Sequence, residues 1–138
     1  MRVIGLDLGD KTLGIATSDT SQTIASAYET IRFQNNDFEN ALDKLKEVVL
    51  ELNPEKIILG LPKNMDGSIG FQAQKVLDFK TKIEEEIKIE VVLIDERLTS
   101  KMADSLMINA SLSRKKRKSK IDKVAATLIL QSYLDRRY

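Results

Sequence analysis

Asp7 stands near the end of the apolar stretch 2–8, with Gly5 and Gly9 on either side of it. Ile4, Leu6 and Leu8 alternate onto one face of the strand this stretch predicts, so the carboxylate falls on the other face with Val3 and Gly5. The two glycines leave room there for a metal or a phosphate; satisfaction by the amides of the Gly9-Asp10 turn is the plainer alternative. Asp95 and Glu96 follow directly on a second predicted strand, at the carboxyl edge where open α/β sheets bind ligands. One of the two should face the crevice, unless Glu96 merely pairs with Arg97 or a helix amino terminus while Thr99 caps a helix. Asp122 falls in the first turn of the helix expected over 121–134, at the border of the face formed by Ala125, Ala126 and Ile129. The helix dipole alone favours an acid there. Separate explanations do not account for three acids at element ends that could meet at one spot.

The chemistry open to such a trio is narrow. The 138 residues include no cysteine and no histidine, which excludes disulfides, thiolate zinc sites, thiol nucleophiles and imidazole bases. Carboxylates, lysines, hydroxyls or a hard, oxygen-preferring cation remain, and Mg²⁺ or Mn²⁺ suits that donor set. No uncharged run approaches the length of a spanning helix, so a cytoplasmic location is expected. The net charge of +1 conceals an asymmetry. Residues 114–123 hold seven basic side chains and one acid, leaving fifteen basic and twenty acidic residues elsewhere. A basic block on an acidic body points to a polyanionic partner and says where it docks.

The elements that must position these residues follow from periodicity. Stretches 2–8 and 13–17 predict a hairpin, and 24–33 a third strand. Phe38, Leu42, Leu45, Val48, Val49 and Leu52 recur at helical spacing behind the cap candidates Asn36 and Asp37, and Asn53-Pro54 ends that helix. Residues 56–61 predict a buried parallel strand and 63–67 a loop. Ser68 is the expected cap of a helix carrying Phe71, Val76, Phe79, Ile83 and Ile87, followed by a strand at 90–94. A helix from Thr99 or Ser100 to about residue 107, a loop over 111–120 and the helix 121–134 complete the order β-β-β-α-β-α-β-α-α. This is an α/β chain of one domain, a mixed five-stranded sheet with helices on both faces.

Read together, Ile4-Gly5-Leu6-Asp7-Leu8-Gly9 with Gly14-Ile15-Ala16, Gly60-Leu61-Pro62 with Asp66-Gly67, Asp95-Glu96-Arg97-Leu98-Thr99-Ser100, and Asp122-Lys123-Val124-Ala125-Ala126 with Ile129-Leu130 resemble the YqgF family. The resemblance spans nearly the whole chain in order. It implies a ribonuclease H-like fold and a nuclease, either a Holliday junction resolvase or an enzyme that trims the 5′ end of pre-16S ribosomal RNA. By the same resemblance Asp7, Glu96 and Asp122 are the metal-binding catalytic triad. Related nucleases often draw their second acid from the end of the fourth strand; here Gly60-Leu61-Pro62 occupies that place and Glu96 substitutes.

Cutting a phosphodiester needs positive charge on its oxygens and an activated water, which two divalent ions about 4 Å apart can supply. Lys11, beside the Gly9 turn, is a phosphate candidate, as are Lys63 and Asn64 in the loop after residue 60. Each could equally be a solvated or turn-forming residue. Arg97 could touch the phosphate or orient Glu96, and the second is favoured. Arg114, Lys115, Lys116, Arg117, Lys118 and Lys120 place six cations in seven positions without an aromatic, a composition for backbone attraction to structured RNA or branched DNA. A non-catalytic ribosome-assembly factor that binds nucleic acid through the same block is the rival reading. A homodimer is required only if junctions are cut symmetrically. The sugar-kinase-like class shares a D-x-G hairpin, but this length lacks a second half to close over ATP.

Overall fold

The computed structural model describes residues 1–96 and 114–136, with side chains of the last helix described from residue 125 onward. The helix expected from residue 99 or 100 to 107 lies outside the described residues. A five-stranded sheet runs in the order β3-β2-β1-β4-β5, built from β1 (Val3–Leu8), β2 (Thr12–Ser18), β3 (Ala25–Arg32), β4 (Lys56–Leu61) and β5 (Glu90–Asp95). β1 pairs antiparallel with β2 and parallel with β4, and β5 pairs parallel with β4. β3 joins β2 antiparallel, with a register shift at Ile15/Ala16. The sheet is therefore mixed and five-stranded, as the alternation of apolar residues implies.

Side-chain parity divides the core. Ile4, Leu6 and Leu8 of β1 pack with Ile57 and Leu59 beneath α1 (Phe38–Leu52) and α2 (Phe71–Glu86). Val3, Ala16, Ile58 and Ile94 face the other way, toward Ala126, Ile129, Leu130 and Leu134 of α3 (Arg114–Arg136). Burying each of these large aliphatic chains contributes about 1.5–3 kcal/mol, which is enough to fix strand register, because a one-residue slip would invert both faces. Asp37 caps α1 by accepting the Asn40 amide at 3.2 Å, and Asn53 ends it in the left-handed conformation with its amide on the Val49 carbonyl.

Three expectations need correction. Ser68 does not cap α2: its hydroxyl and amide both donate to Asp66 Oδ1, at 2.6 and 2.9 Å, and the helix begins at Phe71 behind Gly70. Phe71 is consequently not a core residue but 86% exposed. The last helix starts at Arg114 rather than at residue 121, so the block from Arg114 to Lys120 is helical and not a loop. Lys and Arg are good helix formers, and neither Gly nor Pro separates the block from the apolar part of the helix.

Candidate active site

β1 presents Asp7 on the α3 side of the sheet, as its alternation with Leu6 and Leu8 requires. Parity along β5 sends Ile94 and the following Glu96 to that same side, and the Glu96 amide donates to the Leu61 carbonyl at 3.1 Å, holding it against the end of β4. Between the two acids runs β4, and its residue at their level is Gly60. A Cβ there would lie 2.7 Å from Glu96 Cγ, 2.9 Å from Glu96 Cδ and 2.5 Å from Ile129 Cδ1. The absent side chain lets Glu96 cross β4 toward β1. Glu96 is 6% exposed, and its carboxyl hydrogen-bonds to Asp7. Burial first, then the bond to Asp7 and the charges of Asp7 and Asp95, push Glu96 far above the ordinary carboxyl range, so it holds a proton at neutral pH and donates it to Asp7.

Of the two glycines expected to clear this space, Gly5 does something else. A Cβ on it would meet Leu130 Cβ at 2.7 Å and the Ala126 carbonyl oxygen at 3.0 Å, so Gly5 admits the backbone of α3, not a ligand. Gly9 has only Thr12 nearby, at 3.3 Å. The space around Asp7 comes instead from Gly60 on one neighbouring strand; on the other its direct partner is Gly14.

The direction of α3 follows from its anchors. Gln131 accepts from the Ala25 amide at 2.8 Å and donates to the Thr23 carbonyl at 3.0 Å, next to Ser18, whose hydroxyl receives the Val3 amide. Its carboxyl-terminal half thus lies at the start of β1, and moving toward its amino terminus leads past Gly5 to the Asp7 end. Residue 122 is one turn before Ala126 in that direction. It is also eight residues inside the helix rather than in its first turn, so the helix dipole does not account for an acid at this position. Residues 114–120 continue beyond it, since eight residues of helix span about 12 Å. The side chains of Asp122, Arg114, Lys115, Lys116, Arg117, Lys118 and Lys120 lie outside the described residues, as does Arg97 altogether. Among the described residues no group of three metal-ligating side chains converges.

Lys11 is exposed in the β1–β2 turn, and Lys63 is half-buried after β4. Asn64 is used within its loop: its amide nitrogen donates to Ser68 Oγ at 3.0 Å, its backbone amide bonds the Ser68 carbonyl, and its side chain rests on Gly70. Sequence reading missed the link between this loop's helix and the turn after β1. Lys75 donates to Asp10 Oδ1 at 3.1 Å and to Asn36 Oδ1 at 3.0 Å, and Gln72 donates to the same Asp10 oxygen. The Gln72 hydrogen bond, followed by that of Lys75, holds the Asp10 carboxyl below its usual range. Only the helical spacing of Gln72 and Lys75 hinted at a shared partner.

Residues 1–136 match the family described as "RuvX: Holliday junction resolvase". The chain belongs to the RuvX family. This is the YqgF family of the sequence resemblance. A RuvX relative from Caldanaerobacter subterraneus subsp. tengcongensis, named "Putative pre-16S rRNA nuclease", is 52% identical over 136 residues, covering 98% of this chain and 96% of its own. Among solved structures, Thermus thermophilus RuvC in complex with a Holliday junction substrate superposes with a TM-score of 0.59 at 15% identity, covering 99% of this chain and 96% of that one. Fowlpox virus resolvase, in complex with Holliday junction DNA, gives 0.58 at 16% identity with 99% of both chains covered. Likeness at that identity establishes the ribonuclease H-like fold. Membership of RuvX makes the protein a nuclease, a hydrolase of phosphodiester bonds.

Proposed function

We propose that this nuclease cuts structured nucleic acid by metal-assisted hydrolysis at Asp7, Glu96 and Asp122, with the 5′ end of pre-16S ribosomal RNA as its substrate. The observation that carries the reading is the buried Glu96–Asp7 carboxyl pair at the carboxyl edge of the sheet. The Asp7 and Glu96 carboxyls, brought together in a place made by a missing side chain, offer hard oxygen donors that fit a divalent cation. Bound there, Mg²⁺ or Mn²⁺ would neutralise charge on the scissile phosphate and ease deprotonation of the attacking water. For the site to load, Glu96 must give up the proton it donates to Asp7. β1 holds Asp7 rigidly, and Gly60 keeps the Glu96 stem close to β4. Asp122 is the third acid, one turn from the contact between Ala126 and Gly5.

Arg114, Lys115, Lys116, Arg117, Lys118 and Lys120, carried past the end of β1 by α3, attract the sugar–phosphate backbone without reading bases. In this reading Lys11, Lys63 and Asn64 would meet phosphates at the same sheet edge, and Arg97 would orient Glu96. The ribosomal substrate rests on the name of the relative from Caldanaerobacter, and in this reading the enzyme works in the cytoplasm with the pre-ribosome as its partner. The family description favours a second reading, resolution of a four-way DNA junction, which requires a dimer.

Wild type and Asp7→Asn, assayed with Mn²⁺ on precursor 16S RNA and on a four-way junction, decide among these. The expected result is cleavage of the RNA by wild type, and its loss by at least about a thousandfold in Asp7→Asn, Glu96→Gln and Asp122→Asn. Cleavage of the junction alone would transfer the substrate to DNA. Unchanged RNA maturation by Asp7→Asn would leave a binding factor rather than a catalyst.

A further inference from the structure

Phe33, Phe38 and Phe79 pack on one another, with ring centroids 5.9 and 6.3 Å apart, whereas Phe71 is 86% exposed. Exposure alone does not single the ring out, since Leu50 and Met65 are 84% and 70% exposed. The ring is nevertheless placed with care. Lys75, one turn further along α2, holds its ammonium 5.7 Å from the ring centroid, and the same ammonium is fixed by Asp10 and Asn36. Asp10 lies three residues beyond Asp7, so these bonds tie the start of α2 to the turn leaving the candidate active site. The loop leading to Phe71 departs from Leu61, whose carbonyl receives the Glu96 amide. Phe71 therefore stands at the same sheet edge as both acids, at the start of the helix on the opposite face, with Lys11 exposed beside Asp10.

We propose that Phe71 is a stacking platform for an unpaired base of the nucleic-acid substrate, at the edge of the sheet where the bond is cut. The inference rests on the nuclease reading and deepens it by naming the substrate class as one with unpaired nucleotides at the cleavage site. An exposed ring with a cation against it offers its free face to any base, while neighbouring ammonium groups attract the flanking phosphates. Inside a duplex each base is already stacked on both faces and only the two terminal pairs leave a face free, so a long duplex gains little from the ring.

The chain contains no tryptophan, so Phe71→Trp introduces a single fluorophore at the platform. Placed in an Asp7→Asn background that leaves RNA intact, its emission should be quenched by a short single-stranded RNA and by a hairpin with an unpaired loop, and far less by a long blunt duplex at the same nucleotide concentration. Phe71→Ala in the same background should bind the single strand about 5- to 100-fold more weakly, with an unchanged dependence on salt, and Phe71→Tyr should restore binding. Thermal unfolding of Phe71→Ala should match that of the parent, as expected for an exposed side chain. Equal binding by Phe71→Ala, or equal quenching by blunt duplex, overturns the platform. Emission that changes with protein concentration in the absence of RNA also overturns it, and assigns the ring to self-association. Continued RNA cleavage by Asp7→Asn sinks the nuclease reading instead, whatever Phe71 does.

Discussion

Glu96 is an acid that folding forces to keep its proton, and this leaves a signature in stability. Its folded-state pKa lies above the unfolded value, so over the range between them the folded chain binds a proton that the unfolded chain has released. Stability therefore falls as pH rises through that range. Glu96→Gln removes the penalty. In EDTA it should unfold at a higher temperature than wild type at pH 8, with the difference shrinking toward pH 5, as scanning calorimetry at the two values would register. Added Mn²⁺ should stabilise wild type and leave Glu96→Gln unmoved. That Asp7 faces away from Leu6 and Leu8 was legible from strand parity alone. The choice between Asp95 and Glu96 was not, because it depends on where β5 ends and on the missing side chain of a residue thirty-six positions earlier.

Elements meet through glycines here, and each contact has a different tolerance. Alanine at Gly60 would collide with Glu96 and with Ile129, both side chains that can shift at a cost of about 1–3 kcal/mol. Alanine at Gly5 would press on Leu130 and on the backbone of Ala126, so α3 itself must move. Urea unfolding should rank Gly5→Ala as the less stable of the two, and Gly60→Ala should lose cleavage beyond what its stability explains. Gly9→Ala serves as the mild control. The strands and α1 could be read from sequence since apolar period and caps agree there. The start of α2 could not, because the hydroxyl of Ser68 is spent on Asp66. The start of α3 was missed because a run of cations carries no apolar period, although its helix-forming residues and the lack of Gly or Pro before residue 121 were there to be read.

Across the whole molecule, charge and packing are segregated along one helix. The half of α3 bearing Ala126, Leu130 and Leu134 is buried against the sheet, and the half bearing the basic block reaches past it. If the six cations of 114–120 all neutralise phosphate on a duplex, the logarithm of affinity should fall against the logarithm of salt with a slope of about −5. Replacing all six with glutamine should flatten that slope and weaken every RNA equally; filter binding across a salt series measures both, and an unaltered slope would remove the block from the interface. A last consequence concerns timing during synthesis. Residues 125–134 leave the ribosome after all five strands have been made, and among the described residues they are what covers Gly5 and Ile58. A nascent chain thus leaves Val3, Ala16, Ile58 and Ile94 without their α3 partners until those residues have been made.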